Sequence, residues 1–284
     1  MQYLRLDNIL EDVGLDGGET IDYDRIRFNG GENHIKLISP IQERVTIEAQ
    51  LKNSDYVMEL LLATDALRRA GAKEITLLSP YIPYGRQDRV MVHGEPLSIK
   101  VFADLINAQN YKAVYTLDNH SEVTPALLNN CVEISNHRMI KTFIYQTSGQ
   151  NLRIISPDGG ALKKVFKLAQ SCNRQVITAA KHRDVETGKI TRTEVHAEDL
   201  TEKVCVIVDD ICDGGRTFVE LAKVLKAKNA SKVILYVTHS IFSNGTAELS
   251  IYIDKIFTTN CFRRDAEITN WDVTVIPLRK EDLK

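Results

Sequence analysis

Several features that would indicate a secreted or membrane-bound protein are missing from this sequence. No run of about 18 apolar residues occurs, and the N-terminus lacks the charged and apolar regions of a signal peptide. Five cysteines are present, but none are spaced as a C-x-x-C pair, which argues against a disulfide framework. We therefore expect a cytoplasmic protein with reduced thiols and no membrane partner.

The motifs of several common protein classes are missing as well. The sequence has no G-x-x-x-x-G-K-[ST] loop, no G-x-G-x-x-G turn and no H-E-x-x-H helix. Cys212 lies in a glycine-containing turn, but no motif pairs it with a histidine base, so we expect an inert thiol. A net charge of −2 gives no basis for binding nucleic acid through bulk positive charge.

What the chain does contain is a repeated alternation of short apolar strands and amphipathic helices. Its 284 residues suit two globular domains. Strand patterns such as Glu74–Leu78 and Ala113–Leu117 alternate with helical patterns, one of which we expect Ser54 to cap and Gly71 to end. This alternation predicts parallel sheets with helices on both faces. A cluster of small and polar residues at 146–151 marks the predicted domain boundary.

The strongest functional signal lies at residues 204–219. Five apolar residues at 204–208 show no alternation, which is typical of a strand covered on both faces of a parallel sheet. Asp209 and Asp210 follow this strand, and a turn at residues 213–217 leads into an amphipathic helix. Ligands of open α/β sheets bind beyond the carboxyl ends of the strands, where this turn lies.

The composition of this turn points to a ribose phosphate. Glycines let backbone N–H groups converge, and a helix N-terminus adds partial positive charge, so a phosphate can bind there. Because Asp209 and Asp210 would repel a phosphate, we expect them to accept hydrogen bonds from neighbouring sugar hydroxyls. The alternative is that the acids only cap the following helix.

Two further polar segments follow predicted strands. Arg-Gln-Asp-Arg at residues 86–89 comes after a proline-containing turn, and arginine suits bidentate phosphate recognition; the alternative is a solvated charged loop. Asp118-Asn119-His120 ends the strand Ala113–Leu117. His120 could help to position Mg²⁺, which few protein groups usually hold together with waters and phosphates; the alternative is a structural histidine.

Residues 204–219 resemble the ribose-phosphate-binding loop of the phosphoribosyltransferase fold family, in the form found in ribose-phosphate pyrophosphokinases (PRPP synthetases). Six separated segments resemble that family in its order, at residues 28–32, 79–89, 118–120, 156–160, 181–183 and 204–219. The resemblance implies an α/β protein with two phosphoribosyltransferase-like domains, each a mostly parallel β-sheet flanked by helices. Residues 1–146 would form an ATP-binding, pyrophosphokinase-like domain, and residues 147–284 a ribose-phosphate-binding, phosphoribosyltransferase-like domain.

The resemblance also implies a role for each segment. ATP would be bound by Phe28, Glu32, Arg86, Gln87 and Asp88. Magnesium would be contacted by His120 and Asp158, and the catalytic residues that close over the triphosphate would be Lys181 and Arg183. The ribose phosphate would be bound by Asp209, Asp210, Asp213, Gly214, Gly215, Arg216 and Thr217. The implied reaction transfers the β,γ-diphosphoryl group of Mg·ATP to the C1 hydroxyl of ribose 5-phosphate, giving PRPP and AMP, in a homo-oligomer (dimer or hexamer).

Some positions depart from the family pattern. Gly30 stands where the family has Asp, and one residue is missing between Asp158 and its glycine pair. In the phosphate loop, Gly214 replaces the usual Thr, and Arg216 replaces a small or acidic residue. A long cation there could favour a larger acceptor, such as ADP-ribose.

Two further readings stay open. A phosphoribosyltransferase would share the phosphate loop but would not need the segments at residues 86–89 and 181–183. A non-catalytic regulatory homologue would be expected to lack an intact catalytic loop.

Overall fold

Each half of the chain is built around its own mostly parallel β-sheet in the computed structural model. The structure describes residues 1–7, 9–11, 18–147, 151–183, 190–263 and 273–283. They divide into one unit of Met1–Ser135 with Pro277–Lys284 and a second of Asn136–Ile276. Within the described ranges, no helix is long and apolar enough to cross a membrane.

The first unit contains a six-stranded sheet, a separate hairpin and flanking helices. Its elements, in chain order, are β1 (Gln2–Arg5), β2 (Leu10–Glu11), β3 (Glu19–Thr20), β4 (Tyr23–Arg27), β5 (Asn33–Leu37), β6 (Arg44–Glu48), α1 (Ser54–Arg69), β7 (Glu74–Leu78), α2 (Ser98–Asn107), β8 (Ala113–Leu117), α3 (Val123–Leu127) and β9 (Cys131–Ile134). The sheet order is β3-β1-β6-β7-β8-β9, with every pairing parallel. β4 and β5 pair antiparallel.

The second unit contains a seven-stranded sheet. Its elements are α4 (His137–Thr147), β10 (Leu152–Ser156), α5 (Leu162–Ser171), β11 (Gln175–Arg183), β12 (Ile190–Val195), β13 (Val204–Cys212), α6 (Arg216–Ala227), β14 (Lys232–Ser240), α7 (Leu249–Tyr252), β15 (Lys255–Thr259) and β16 (Val273–Ile276). The order is β12-β11-β10-β13-β14-β15-β16, and only β11 and β12 pair antiparallel. The chain ends with β17 (Leu278–Arg279) and a 3-10 turn at Lys280–Leu283.

Successive residues of β13 pack on opposite faces of this sheet. Cys205 and Ile207 join an apolar cluster that includes the buried face of α6. Val206 and Val208 join the cluster on the other face, which includes residues of α4 and α5. The predicted strand covered on both faces is therefore confirmed. It extends further than predicted, to Cys212, so both acids lie within the strand.

The two units do not divide where the sequence predicted, after residue 146. The structure divides them after Ser135, because α4 packs in the second unit through Ile140, Phe143 and Ile144. The predicted boundary at residues 146–151 therefore falls after the start of the second unit, and its residues 148–150 lie outside the described part of the chain. The end of the chain returns to the first unit, where β17 pairs parallel with β2.

Helix α1 begins with a different cap from the one predicted. The side chain of Asn53 accepts hydrogen bonds from the backbone N–H groups of Asp55 and Tyr56, so the prediction that Ser54 is the cap was wrong. The Ser54 hydroxyl lies 3.3 Å from the Tyr84 hydroxyl instead. Gly71 follows the end of the helix with φ +106°, as predicted.

Replacement of Phe143 by alanine should strongly destabilise the second unit. Its ring is 2% exposed and lies 4.1 Å from the Phe257 ring and 6.0 Å from the Tyr236 ring, between centroids. We expect Phe143→Ala to lower the free energy of unfolding by about 3–5 kcal/mol, measured by urea denaturation. Phe166→Ala is the control, because the Phe166 side chain is 50% exposed. It should change the free energy of unfolding by less than about 0.5 kcal/mol. Equal effects would contradict this packing.

Candidate functional site

The carboxyl end of β13 carries two acidic side chains that interact with each other. The backbone N–H of Asp210 donates a hydrogen bond of 3.0 Å to Oδ1 of Asp209, and both residues are half-buried. Burial, followed by the charge of Asp210, raises the pKa of Asp209 well above its ordinary value, and the charge of Asp158 adds to the shift. The strand end is therefore a place where negative charge is costly until something neutralises it or donates hydrogen bonds to it.

The turn between β13 and α6 depends on Gly215. Its φ of +79° lies in the left-handed region, and a Cβ built there would lie 3.2 Å from three atoms of the Leu249 side chain. The Gly215 carbonyl accepts hydrogen bonds from the N–H groups of Phe218 and Val219 and so begins the helix. Cys212, just before this turn, is fully buried, and burial raises the pKa of its thiol, as an inert cysteine requires.

Four backbone N–H groups at this turn have no partner among the described residues. They belong to residues 214–217, at the N-terminus of a helix of 12 residues. Such groups carry partial positive charge and are suited to bind a phosphate. The side chain of Arg216 is exposed and makes no hydrogen bond or ion pair with any residue in the described ranges. This turn can therefore accept an anion without breaking an existing contact.

A second loop, at residues 241–245, lies against this turn. The N–H groups of Ile241 and Phe242 both donate to the Cys212 carbonyl, at 2.9 and 3.0 Å. Nδ2 of Asn244 lies 3.4 Å from the carbonyl oxygen of Gly214. Sequence reasoning did not select this loop. The only local signal was that it follows β14, which neighbours β13 in the sheet.

Asp158 lies after β10, the other neighbour of β13. Its Oδ1 accepts a hydrogen bond of 3.1 Å from the N–H of Ala161, and its carbonyl accepts one of 3.0 Å from the Ser156 hydroxyl. Its effect on the pKa of Asp209 shows that the two carboxylates are near each other. The structure thus gathers the predicted residues Asp158, Asp209, Asp210 and those at 213–217 at one edge of the sheet.

The segment at residues 181–183 lies at the end of β11. The predicted polar loop begins here as a strand, because Lys181 pairs with Thr193 and Arg183 with Ile190 in an antiparallel hairpin. β11 pairs with β10 only as far as Thr178, so this hairpin extends past the edge where the acids lie. The side chains of Lys181 and Arg183 are outside the described part of the chain.

In the first unit, the loop at residues 86–89 and the segment around His120 follow neighbouring strands, β7 and β8. Asp88 connects them. Both of its oxygens accept hydrogen bonds from Arg89, at 2.9 and 3.2 Å. These bonds lower the pKa of Asp88, and a hydrogen bond from Ser121 and the charge of His120 lower it further. The side chains of Arg86 and Gln87 are exposed, as is that of His120.

The hairpin turn at residues 28–32 is held by its own backbone. Phe28 donates to the Glu32 carbonyl at 2.9 Å, and Gly31 donates to the Phe28 carbonyl at 2.8 Å. The Phe28 ring is 53% exposed, and Glu32 is exposed as well. Arg27 reaches Asp55 in the first turn of α1, at 3.4 Å. The same turn contacts Tyr84 through Ser54, so this hairpin and the loop at 86–89 adjoin the same helix end.

The chemistry of the acidic strand end fits a hydrated magnesium ion better than a fully enclosed metal site. Within the described ranges, no three His, Cys, Asp or Glu side chains form a group that could hold a metal. Mg²⁺ usually takes one or two carboxylates and completes its shell with water and phosphate oxygens. Asp158, with the Asp209 carboxylate near it, offers oxygen ligands of the kind that Mg²⁺ takes.

Comparison with known proteins gives a consistent result. Residues 9–109 match the model for the N-terminal domain of ribose phosphate pyrophosphokinase, and residues 130–276 match the phosphoribosyl transferase domain. A ribose-phosphate pyrophosphokinase of Thermococcus kodakarensis is 30% identical over 251 residues, covering 86% of this chain and 87% of that protein. One of Mycoplasma pneumoniae is 32% identical over 227 residues, covering 78% and 68%.

The fold agrees with a solved structure. The crystal structure of phosphoribosylpyrophosphate synthetase from Mycobacterium smegmatis superposes with a TM-score of 0.80 at 23% identity, covering 91% of this chain and 87% of that one. The predicted α/β fold with two phosphoribosyltransferase-type domains is confirmed. On these matches, the chain belongs to the ribose-phosphate pyrophosphokinase family.

Proposed function

We propose that the protein transfers the β,γ-diphosphoryl group of Mg·ATP to the C1 hydroxyl of ribose 5-phosphate, giving PRPP and AMP. The observation that carries this proposal is that two carboxylates at one strand end lie beside four backbone N–H groups that have no partner within the described ranges. The carboxylates can accept hydrogen bonds from sugar hydroxyls, and the N–H groups can bind a phosphate. A sugar with vicinal hydroxyls and a phosphate satisfies both.

The roles in the second unit follow from these contacts. Asp209 and Asp210 hold the ribose hydroxyls, and the turn at residues 213–217 holds the phosphate on C5. Burial and the charge of Asp210 raise the pKa of Asp209, and hydroxyl donors would stabilise its carboxylate, so this strand end favours a ligand with hydroxyl groups. The sugar is thereby oriented with C1 fixed, and positioning is the main requirement of phosphoryl transfer.

The roles in the first unit concern ATP. The exposed Phe28 ring can stack on the base, and the exposed side chains of Glu32, Arg86 and Gln87 can hydrogen-bond to the nucleotide. The carboxylate of Asp88 is 8% exposed and bound to Arg89, so it stabilises the conformation of this loop. The homo-oligomer that the family resemblance implies stays part of this proposal.

The reaction forms one bond and breaks another at the β-phosphorus. The C1 oxygen attacks it, its proton passes to water, and the bond to the oxygen bridging the α- and β-phosphates breaks, so that AMP leaves. Lys181 and Arg183 stabilise the charge on the transferred group. Mg²⁺, for which His120 and Asp158 are the proposed protein contacts, supplies neutralisation of the triphosphate charge. No covalent enzyme intermediate is needed.

A second acceptor is favoured by the phosphate turn itself. Arg216 has an exposed guanidinium without a described partner beside the phosphate-binding N–H groups. A second phosphate on C5, as in ADP-ribose, would give that cation a ligand. The chemistry at C1 would be unchanged.

The acceptor can be identified by the AMP that is released. Incubated with Mg·ATP, the protein should release AMP with ribose 5-phosphate, with ADP-ribose or with both, measured by anion-exchange chromatography. ATP alone and ATP with unphosphorylated ribose should give only background. AMP released equally without an acceptor would leave an ATPase, and no AMP at all would favour a phosphoribosyltransferase or a non-catalytic homologue.

The two substrates should respond to different substitutions. Arg86→Ala should raise the KM for ATP by about tenfold or more, because a charge-assisted hydrogen bond contributes about 1.5–3 kcal/mol. Asp210→Asn should instead raise the KM for the acceptor, because it removes a charged hydrogen-bond acceptor. Arg44→Ala is the control, since its side chain is 77% exposed and pairs only at the surface with Glu74. A tenfold change in the ATP KM of the control, or no change for Arg86→Ala, would contradict these roles.

The pKa of Asp209 predicts how stability depends on pH in EDTA without substrate. Because its folded pKa is raised above 3.8, its stabilising contribution is present below about pH 4 and is lost as pH rises through the folded pKa. Asparagine cannot ionise, so the Asp209→Asn variant should be more stable than the parent between pH 4 and 7.

Asp199→Asn is the control with the opposite expected sign. Hydrogen bonds from Asn229 and Thr201 lower the pKa of Asp199, so the Asp199→Asn variant should be less stable than the parent over the same pH range. Urea denaturation at several pH values measures both, and the same sign for both variants would contradict the assignment.

A further inference from the structure

Two adjacent glycines in the phosphate turn are required for different reasons. Gly215 has a left-handed backbone, which excludes most side chains. Gly214 does not have a positive φ, so its backbone conformation does not itself call for glycine. A Cβ on Gly214 would lie 3.1 Å from Nδ2 of Asn244, so the Asn244 amide would have to move by a few tenths of an ångström to make room for it. A side chain at position 214 and the Asn244 amide therefore compete for the same space.

The backbone that carries Asn244 is fixed, although its side chain is exposed. The start of its loop is bound to the Cys212 carbonyl through Ile241 and Phe242, and Phe242 is 3% exposed. Gly245 donates to the Phe242 carbonyl at 2.9 Å, which closes the turn. The backbone of Asn244 is thus held beside the phosphate turn by the same strand end that carries the acids.

The hydrogen-bonding capacity of this amide is only partly used. Nδ2 donates to the Gly214 carbonyl at 3.4 Å, and the amide makes no other hydrogen bond with the residues that the structure describes. A primary amide has two N–H groups, so one remains as a donor. The amide lies at Gly214, the first of the four residues whose backbone N–H groups have no partner among the described residues. A neutral donor in that position suits a phosphate oxygen.

We propose that Asn244 is a specificity-determining residue that donates to the acceptor's C5 phosphate, in the place that a side chain at position 214 would otherwise fill. This inference rests on the proposed function of the phosphate turn. The inference implies that only one of positions 214 and 244 can place a side chain in this space. A side chain at position 214 would displace the Asn244 amide, whereas glycine at position 244 would leave room for a side chain at position 214. The ligand class is a sugar carrying a phosphate on C5.

Four variants of the full chain test this inference: Asn244→Asp, Asn244→Gly, Gly214→Thr and the double variant Gly214→Thr/Asn244→Gly. Asn244→Asp keeps the shape but replaces the donor by a negative charge, so the dissociation constant for ribose 5-phosphate should rise at least tenfold. Asn244→Gly and Gly214→Thr should each raise this dissociation constant about fivefold or more. The dissociation constant of the double variant should be within about threefold of the parent value. Calorimetric titration measures these constants, thermal unfolding checks that each variant folds, and the KM for ATP should not change.

The outcomes separate this inference from the proposed function. If the parent binds ribose 5-phosphate and Asn244→Asp binds it equally well, the inference is wrong and the proposed function stands. If the effects of the two single variants simply multiply in the double variant, positions 214 and 244 are not alternatives and the inference is also wrong. A parent protein that binds neither ribose 5-phosphate nor inorganic phosphate contradicts both.

Discussion

One electrostatic arrangement supports the rest of the account: two carboxylates at the end of β13 lie just before the positive end of α6. Burial and mutual repulsion make the charge on Asp209 costly, while the N–H groups at residues 214–217 have no partner in the part of the chain that the structure describes. The acids therefore favour hydrogen-bond donors, and the N–H groups favour an anion. A ligand with hydroxyl donors on one side and an anion on the other satisfies both, and the buried strand keeps the two halves in register.

In the first unit, polar side chains also follow the carboxyl ends of neighbouring parallel strands. Its parallel strands β7 and β8 end side by side, and the loops that follow present exposed arginine, glutamine and histidine side chains. Asp88 is the internal support, since it binds Arg89 and is influenced by Ser121 and His120. Because Asp88 is paired with Arg89, we expect its substitution to act through the shape of the loop, whereas under the proposed function substitution of Arg86 would act on the nucleotide directly.

Much of the fold and of the site could be predicted because the signals are local. The uninterrupted apolar run at residues 204–208 indicates a strand buried on both faces, and the acids and glycines after it are adjacent in sequence. Element ends were harder to predict, since Asn53 and Ser54 are both good helix caps and only the folded chain selects one. The domain boundary was misplaced because the packing of α4 through Phe143 is a long-range contact. Asn244 was missed for the same reason, since it lies 30 residues from Gly214.

The central claim is that the turn at residues 214–217 binds the phosphate of a sugar whose hydroxyls meet Asp209 and Asp210. The most direct measurement is a titration of ¹⁵N-labelled protein with ribose 5-phosphate, following the backbone amide resonances. The account predicts that the amides of Gly214, Gly215, Arg216 and Thr217 shift with ribose 5-phosphate and remain unchanged with ribose at the same concentration. Shifts confined to other parts of the chain, with these four amides unaffected, would contradict it.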